Sequence, residues 1–379
     1  MSLLVVYNPA SGNTTAGQYT TSTVLPLLAE HKLTPTKIAS TEHPGHAGTI
    51  VLDFVASLPE KDTTITVVLI SGDGTLHEIV NALYTAQTPL PSIRFVLIPG
   101  GTANALHTSF FPPPSSPAPE VQGEDSRRLA SLHAFLSPTP HLTPLTLAST
   151  TLFPAESASA ATPTSVISLV VASTALHASI LADSEALRAS HPGIERFKLA
   201  ADANATTWYR ARARLLPPVA RYAPATREFV PVAAAELAGP FAYFLTTTNA
   251  DRLEPAFRIA PLQRPGLASM DVVVVRPQRD ASLAGAADEA ERTRFKERLW
   301  GVLGGAYADG AHVDALYEGD GGDTVVEYFR AAGWEWEPES GDEKAHRVCA
   351  DGTIFTIPNG GKAVSTVLNG HKLDLAVYA

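Results

Sequence analysis

The stretch from Ile65 to Leu83 constrains this chain most. Ile65 to Ile70 is an uninterrupted β-branched, mostly apolar run, which reads as a buried strand. Ser71-Gly72-Asp73-Gly74-Thr75 follows, and then Leu76, Ile79, Val80 and Leu83 recur at helical spacing. Two glycines therefore flank one carboxylate where a strand passes into a helix. Glycine there lets the backbone come close to a ligand and tolerates positive φ. The unpaired N–H groups of a helix start favour an anion at the same point. By itself the triplet fits a tight turn capped by Asp73 equally well.

The same grammar recurs along the first third of the chain. Leu3 to Tyr7 reads as a strand that ends in the turn Asn8-Pro9-Ala10-Ser11-Gly12, with a helix over about 17–31 behind it. A second strand ends near Ser40, before Thr41-Glu42-His43-Pro44-Gly45-His46-Ala47. Ile50, Val51, Phe54, Val55 and Leu58 then share one helical face. Ile93 to Ile98 is a further strand, closed by Pro99-Gly100-Gly101-Thr102-Ala103-Asn104-Ala105-Leu106. Strands alternating with helices predict a parallel sheet covered by helices. Ligands of such sheets lie beyond the carboxyl ends of the strands, and all three glycine turns fall on that edge. Residues 111–126 are Pro/Ser-rich and read as an exposed loop.

After Leu142 the pattern changes to short β-type runs at 142–153, 165–173, 208–216, 241–248 and 269–275, which predicts an antiparallel β domain, a sandwich or open barrel. Within it 183–205 reads as helical and 154–164 as a hairpin tip. Arg210, Arg212 and Arg214 alternate as the wet face of a strand. The expected domains are 1–141 and 142–379, with the last segment able to return to the first domain.

Charge narrows the partners. The net charge is −10, which argues against a general nucleic-acid binder. Residues 188–227 hold eight Lys and Arg against two acids, and residues 309–343 hold eleven acids against one Arg. The acidic stretch reads as a solvated face, and the basic one admits contact with anionic lipid head groups. The single cysteine, Cys349, allows no intrachain disulfide and fits a reducing, cytoplasmic compartment. It leaves no zinc-ligand cluster, so no structural metal is expected. Met1 to Tyr7 lacks the basic flank of a signal peptide. The longest apolar candidate, 231–249, is interrupted by Glu236 and Pro240, so any membrane contact is expected to be peripheral.

Three anion-friendly turns on one edge, one of them carrying Asp73, suggest phosphoryl transfer from a nucleotide. That chemistry needs N–H groups and cations around the phosphates and a carboxylate near the attacking hydroxyl. There is no Gly-x-x-x-x-Gly-Lys-Ser/Thr P-loop and no protein-kinase motif set. The residues alone lead to a nucleotide-binding α/β protein with kinase chemistry as one option.

Three motifs in order, Asn8-Pro-Ala-Ser-Gly12, Ser71-Gly-Asp-Gly-Thr-Leu-His-Glu78 with Asn81, and Pro99-Gly-Gly-Thr-Ala-Asn-Ala-Leu106, resemble the diacylglycerol kinase catalytic domain. Ser-Gly-Asp-Gly followed by His-Glu is most similar to the sphingosine (long-chain base) kinase branch. Thr41-Glu42 with His46-Ala47, Asp183-Ser184-Glu185 with Arg188 and Arg196-Phe197, and Cys349-Ala-Asp351-Gly352 resemble further motifs of that superfamily. The resemblance implies an ATP-binding α/β domain like that of NAD kinase and phosphofructokinase, followed by a β-sandwich-like domain that holds the lipid. It implies ATP and Mg²⁺, and a primary lipid hydroxyl as acceptor, with Asp73 as general base. Asn8, Ser11, Gly12, Thr41, Gly72, Gly74, Glu78, Gly100, Gly101 and Thr102 would line the nucleotide. Arg188 and Arg196 would clamp the transferring phosphate, and Asp351 would carry water or Mg²⁺. Ser179, Asp183 and Glu185 would meet the substrate.

Three positions depart from the family pattern. Ala103 replaces a glycine, Thr353 replaces a glutamate, and Ser179 stands where sphingosine kinases carry an aspartate for the sphingoid amine and hydroxyl. Asp183 or Glu185 could substitute for that aspartate. The leading expectation is an ATP-dependent kinase of a sphingoid base or related lipid. A diacylglycerol- or ceramide-type kinase, or a catalytically silent lipid- or nucleotide-binding protein, are the alternatives. A chain of about fifteen methylenes carries roughly 12 kcal/mol of burial, so a second domain is the natural place for the lipid tail.

Overall fold

The computed structural model describes residues 2–59, 63–113, 124–155, 162–191, 193–233, 235–283, 288–317, 323–370 and 372–379. The core of the 111–126 loop and of the 154–164 hairpin tip lies outside them. The chain forms two compact units. One comprises Met1–Thr146, Arg252–Pro255 and Asn369–Ala379; the other comprises Leu147–Asp251 and Ala256–Leu368.

Among the described residues the first unit holds a six-stranded sheet. Its first four strands are β1 (Ser2–Tyr7), β2 (Lys37–Ser40), β3 (Thr64–Ser71) and β4 (Ser92–Pro99), in the spatial order β2-β1-β3-β4 and all parallel. The C-terminal strand Leu375–Tyr378 adds parallel to β4, and β5 (Leu142–Pro144) closes that side antiparallel. Alternating residues face opposite sides of the sheet. Val68, Ile70, Val96 and Ile98 pack with Val24 and Leu28 of the first helical segment and with Leu132. The helices His46–Ala56 and Asp73–Thr85 cover the other face, burying Val51, Phe54, Ile79 and Val80. Near-continuous apolar strands follow from this double coverage. Ser131 ties the Ala130–Leu136 helix to the sheet, donating to Tyr378 O at 2.7 Å and accepting from Leu97 N at 3.0 Å. The register pairs Tyr7 with Ser40 and Ile70, and Ser71 with Pro99, so the turns after β1, β3 and β4 share the carboxyl edge.

Among the described residues the second unit is an antiparallel sheet of twelve strands with helices Ala175–Ala186, Glu195–Asn204 and Glu289–Tyr307. The strand Glu327–Pro338 is its hub, pairing with Met270–Val275, Lys362–Val367 and Ala211–Ala223. Phe241, Phe244, Trp334 and Trp336 form the aromatic core, with ring centroids 4.8–6.0 Å apart. Both indoles satisfy their N–H, to Thr246 Oγ1 at 3.2 Å and to Ala345 O at 2.8 Å.

Local expectations are refined here. The run 165–173 is two strands, Thr164–Ser168 and Val171–Thr174. The helix expected over 183–205 begins at Ala175, stops at Ala186 and restarts at Glu195; Gly193, at φ +92°, lies in the break. Most of the acidic stretch is solvated as expected, with Asp309, Asp314, Asp323, Glu337, Glu339 and Glu343 exposed, but two of its acids are not. Glu327 and Glu335 lie on the hub strand, 2% and 8% exposed. Glu327 accepts from Arg276 at 2.7 Å, and Glu335 from Arg214 at 2.6 Å and Lys362 at 2.9 Å. Arg210 and Glu339 stand 3.6 Å apart. Part of the basic stretch is therefore neutralised by the acidic one, because Ala211–Ala223 and Glu327–Pro338 are neighbouring strands.

Candidate functional site

The three turns of the carboxyl edge interlock. Gly100 N donates to Ser71 O at 2.9 Å, and Asn8 N to Ile70 O at 3.1 Å. A side-chain relay then joins the first turn to the second. Ser11 Oγ meets Ser71 Oγ at 2.9 Å, Ser71 Oγ donates to Thr75 Oγ1 at 2.6 Å, and Asn8 Nδ2 donates to Thr75 Oγ1 at 3.1 Å. The glycines serve close approach of one turn to another. A Cβ on Gly12, whose φ is +54°, would lie 2.3 Å from Gly100 O, and one on Gly101 would lie 2.6 Å from Gly72 Cα. Gly101→Ala must therefore push two main chains apart. We expect it to lower the stability of this unit by about 1–3 kcal/mol, read as a fall in Tm of the purified protein. Gly74 has open space around it and leaves the edge accessible.

Asp73 opens the helix Asp73–Thr85 and is half-buried. Its carboxylate accepts from Ala105 N at 2.7 Å and Leu106 N at 3.1 Å, so it caps the short helix Ala105–Phe110 of the third turn. Asn104, at φ +52°, completes that turn, with Oδ1 accepting from Gly101 N and Nδ2 donating to Gly101 O, both at 2.8 Å. The left-handed residue is thus Asn104, and Ala103 is not among the positive-φ positions, so its methyl brings no backbone strain. A cavity of about 20 Å³ behind Asp73 is lined by Ser71, Gly72, Asn104 and His107 among others. Burial pushes the His107 imidazole down to about 4, so it is neutral at physiological pH. Thr41 is buried at the end of β2, donating its N–H to Tyr7 O at 3.0 Å. Thr102 is exposed and Glu78 is half-buried one turn into its helix.

The remaining nominated residues belong to the second unit. Arg188 makes a bidentate pair with Glu185, both bonds at 2.6 Å. Asp183 accepts from Arg347 at 2.7 Å and Asn204 at 2.8 Å, and Lys344 stands at 3.5 Å. Burial pushes the Asp183 carboxyl up, but the Asn204 and Arg347 hydrogen bonds and the two cations outweigh it and hold the group below its ordinary range. Ser179 is fully buried beside the buried Tyr209 hydroxyl. The Arg196 guanidinium lies 4.7 Å from the centroid of the Phe197 ring.

The resemblance assigns Asp351 to water or Mg²⁺ at a nucleotide. Instead its carboxylate is buried and accepts from Leu169 N at 2.8 Å, Val170 N at 2.9 Å and Val171 N at 2.8 Å. Three main-chain donors thus take three of its roughly four lone-pair sites, and in this structure the carboxylate holds the turn at 169–171. Among the described residues no group of three or more His, Cys, Asp and Glu could hold a metal ion. Cys349 is fully buried, and burial pushes its thiol up to about 12, so it is a packing residue.

Sequence reasoning missed Arg128. Its Nε donates to Pro99 O at 3.0 Å and its guanidinium lies 3.7 Å from the Tyr19 ring centroid. It follows a Pro/Ser-rich stretch and belongs to no motif, so only the fold reveals its place beside the third turn.

Residues 2–130 match the family model of the diacylglycerol kinase catalytic domain, which bears out the motif resemblance over that span. Human sphingosine kinase 2 is 35% identical over 106 residues, covering 27% of this chain and 15% of that protein. Mouse sphingosine kinase 1 is 36% identical over 114 residues, covering 28% of this chain and 27% of that protein. The matches thus span well under a third of these curated relatives. A solved diacylglycerol kinase structure from Bacillus anthracis str. Sterne aligns with 100% of this chain and 97% of its own at a TM-score of 0.55 and 15% identity. A second, of a putative diacylglycerol kinase from the same source, gives 0.57 and 18%. These two share the fold, including the antiparallel second unit.

Proposed function

We propose that a chain whose residues 2–130 carry a diacylglycerol-kinase-type catalytic domain is an ATP-dependent lipid kinase, transferring the γ-phosphate to a primary lipid hydroxyl. The observation that carries this reading is the convergence of the turns at Asn8–Gly12, Ser71–Thr75 and Pro99–Leu106 around one carboxylate on one sheet edge. Main-chain N–H groups there meet phosphate oxygens, and Asp73 accepts the proton of the acceptor hydroxyl. Mg²⁺ would arrive with the nucleotide phosphates, as it commonly does in kinases. No helix among the described residues is long and apolar enough to cross a membrane, and access to the lipid is proposed to be peripheral.

For the acceptor, the motifs rank a sphingoid base first. The ion pairs favour the second reading, a neutral head group of the diacylglycerol or ceramide type. A sphingoid ammonium needs an uncommitted carboxylate, and Ser179 supplies none. Asp183 is held by Arg347 and Lys344, and Glu185 by Arg188. Incubation with radiolabelled ATP and sphingosine, phytosphingosine, ceramide and diacylglycerol in mixed micelles decides the matter. We expect one labelled lipid, and label in a neutral acceptor at least tenfold above that in the free bases. Label confined to the bases restores the sphingoid reading. No labelled lipid, alongside measurable ATP affinity, points to a silent binder.

A further inference from the structure

We propose that Arg128 supplies the positive charge that the three turns lack and binds the phosphates of the nucleotide directly; this rests on the nucleotide reading above. Residues 8–15, 71–78 and 99–106 contain no Lys or Arg, yet carry Asp73 and Glu78. Main-chain N–H groups alone would have to hold a triphosphate against those two acids. Triphosphate sites usually add a cation, and a planar guanidinium is the best-matched one.

In residues 1–146 the other described cations stand elsewhere. Lys32 and Lys37 precede or open β2, Arg94 pairs with Asp374 at 2.6 Å near the start of β4, and Arg127 is exposed. Arg128 alone among these is fastened to a strand's carboxyl end. Its Nε is tied to the carbonyl of Pro99, the residue before Gly100-Gly101, and its plane lies over Tyr19. Two anchors thus hold Arg128 while its terminal N–H₂ groups make no hydrogen bond and no ion pair among the described residues. Arg188, nominated from sequence for this task, has its Nε and Nη2 engaged by the Glu185 carboxylate. A guanidinium held rigidly by its Nε and face, with its fork unpaired, has little ordering left to lose when an anion arrives.

The proposal separates from a plain stapling role by the ligand it affects. Binding of ATP, AMP and adenosine to the full chain is measured by calorimetry at two salt concentrations, for the unaltered protein, Arg128→Gln and Arg128→Lys. The unaltered protein is expected to bind ATP more tightly than adenosine, with an affinity that falls as salt rises. Arg128→Gln is expected to lose at least tenfold in ATP affinity and most of that salt dependence, with adenosine affinity unchanged within twofold. Arg128→Lys is expected to lie between. Equal ATP affinity in Arg128→Gln overturns the proposal and leaves the kinase reading standing. An equal loss for ATP and adenosine with a lowered Tm also overturns it, since that is what a staple would give. If the unaltered protein binds no nucleotide, the kinase reading fails and the assignment of Arg128 fails with it.

Discussion

Asp73→Asn is expected to reduce lipid phosphorylation by about 10²–10⁴ while the protein remains folded. The substitution preserves shape and removes the charge that receives the acceptor's proton. In a loose phosphoryl-transfer transition state the hydroxyl proton leaves late, so the carboxylate need only be aligned and ionised as the bond to phosphorus forms. The structure supplies the alignment: Ala105 N and Leu106 N grip the two oxygens and fix the plane of the group. The same contacts give Asp73 a structural duty, and the prediction has to separate the two. The asparagine amide oxygen still accepts one of these N–H groups but presents N–H₂ to the other. A cost of about 1–2 kcal/mol in stability is therefore expected beside the loss of turnover. Turnover of radiolabelled ATP with the preferred lipid, set against a thermal melt and ATP affinity, tests this. Near-normal turnover removes Asp73 from the chemistry and leaves it a cap. Lost turnover with intact ATP binding and a small fall in Tm assigns it the proton.

The first unit was legible because its signals are local. Apolar strands covered on both faces, glycine turns at their carboxyl ends and an amphipathic helix after each are all written within about 20 residues of one another. The turns at Asn8, Gly72 and Gly100 could therefore be placed on one edge before any coordinate was known. What could not be read was why the glycines are there. Gly12 packs on Gly100 and Gly72 on Gly101, so part of the motif is backbone meeting backbone rather than backbone meeting phosphate. The second unit hid more, because its pairings join distant segments. Glu335 looks like one more acid in an acidic run until Ala211–Ala223 is laid beside it and delivers Arg214. Local charge counts are blind to cancellation across strands more than a hundred residues apart. Arg128 shows the same limit at the candidate site, since only β4 and the first helix bring Pro99 and Tyr19 to it.

Asp351→Ala is expected to be among the most destabilising single changes in the second unit, at about 3–5 kcal/mol. It strips the acceptor from Leu169 N, Val170 N and Val171 N, three buried main-chain donors at the turn between Thr164–Ser168 and Val171–Thr174. An orphaned buried N–H costs about 1–3 kcal/mol, and water entering the vacated space offsets part of the sum. Asp351 also sits at φ +46°, a conformation that aspartate and asparagine tolerate better than alanine does. Asp351→Asn should therefore be milder, keeping the backbone fit and an amide oxygen for some of the donors. At a few °C per kcal/mol, Asp351→Ala should lower the Tm by roughly 10 °C and Asp351→Asn by less than half of that. Below the transition, ATP affinity of the folded Asp351→Ala protein should match that of the unaltered chain. The opposite result, a normal melt with ATP affinity reduced tenfold or more, would return Asp351 to the nucleotide. The melt and the ATP affinity together decide between the two roles, because three main-chain donors already take three of the roughly four lone-pair sites of this carboxylate.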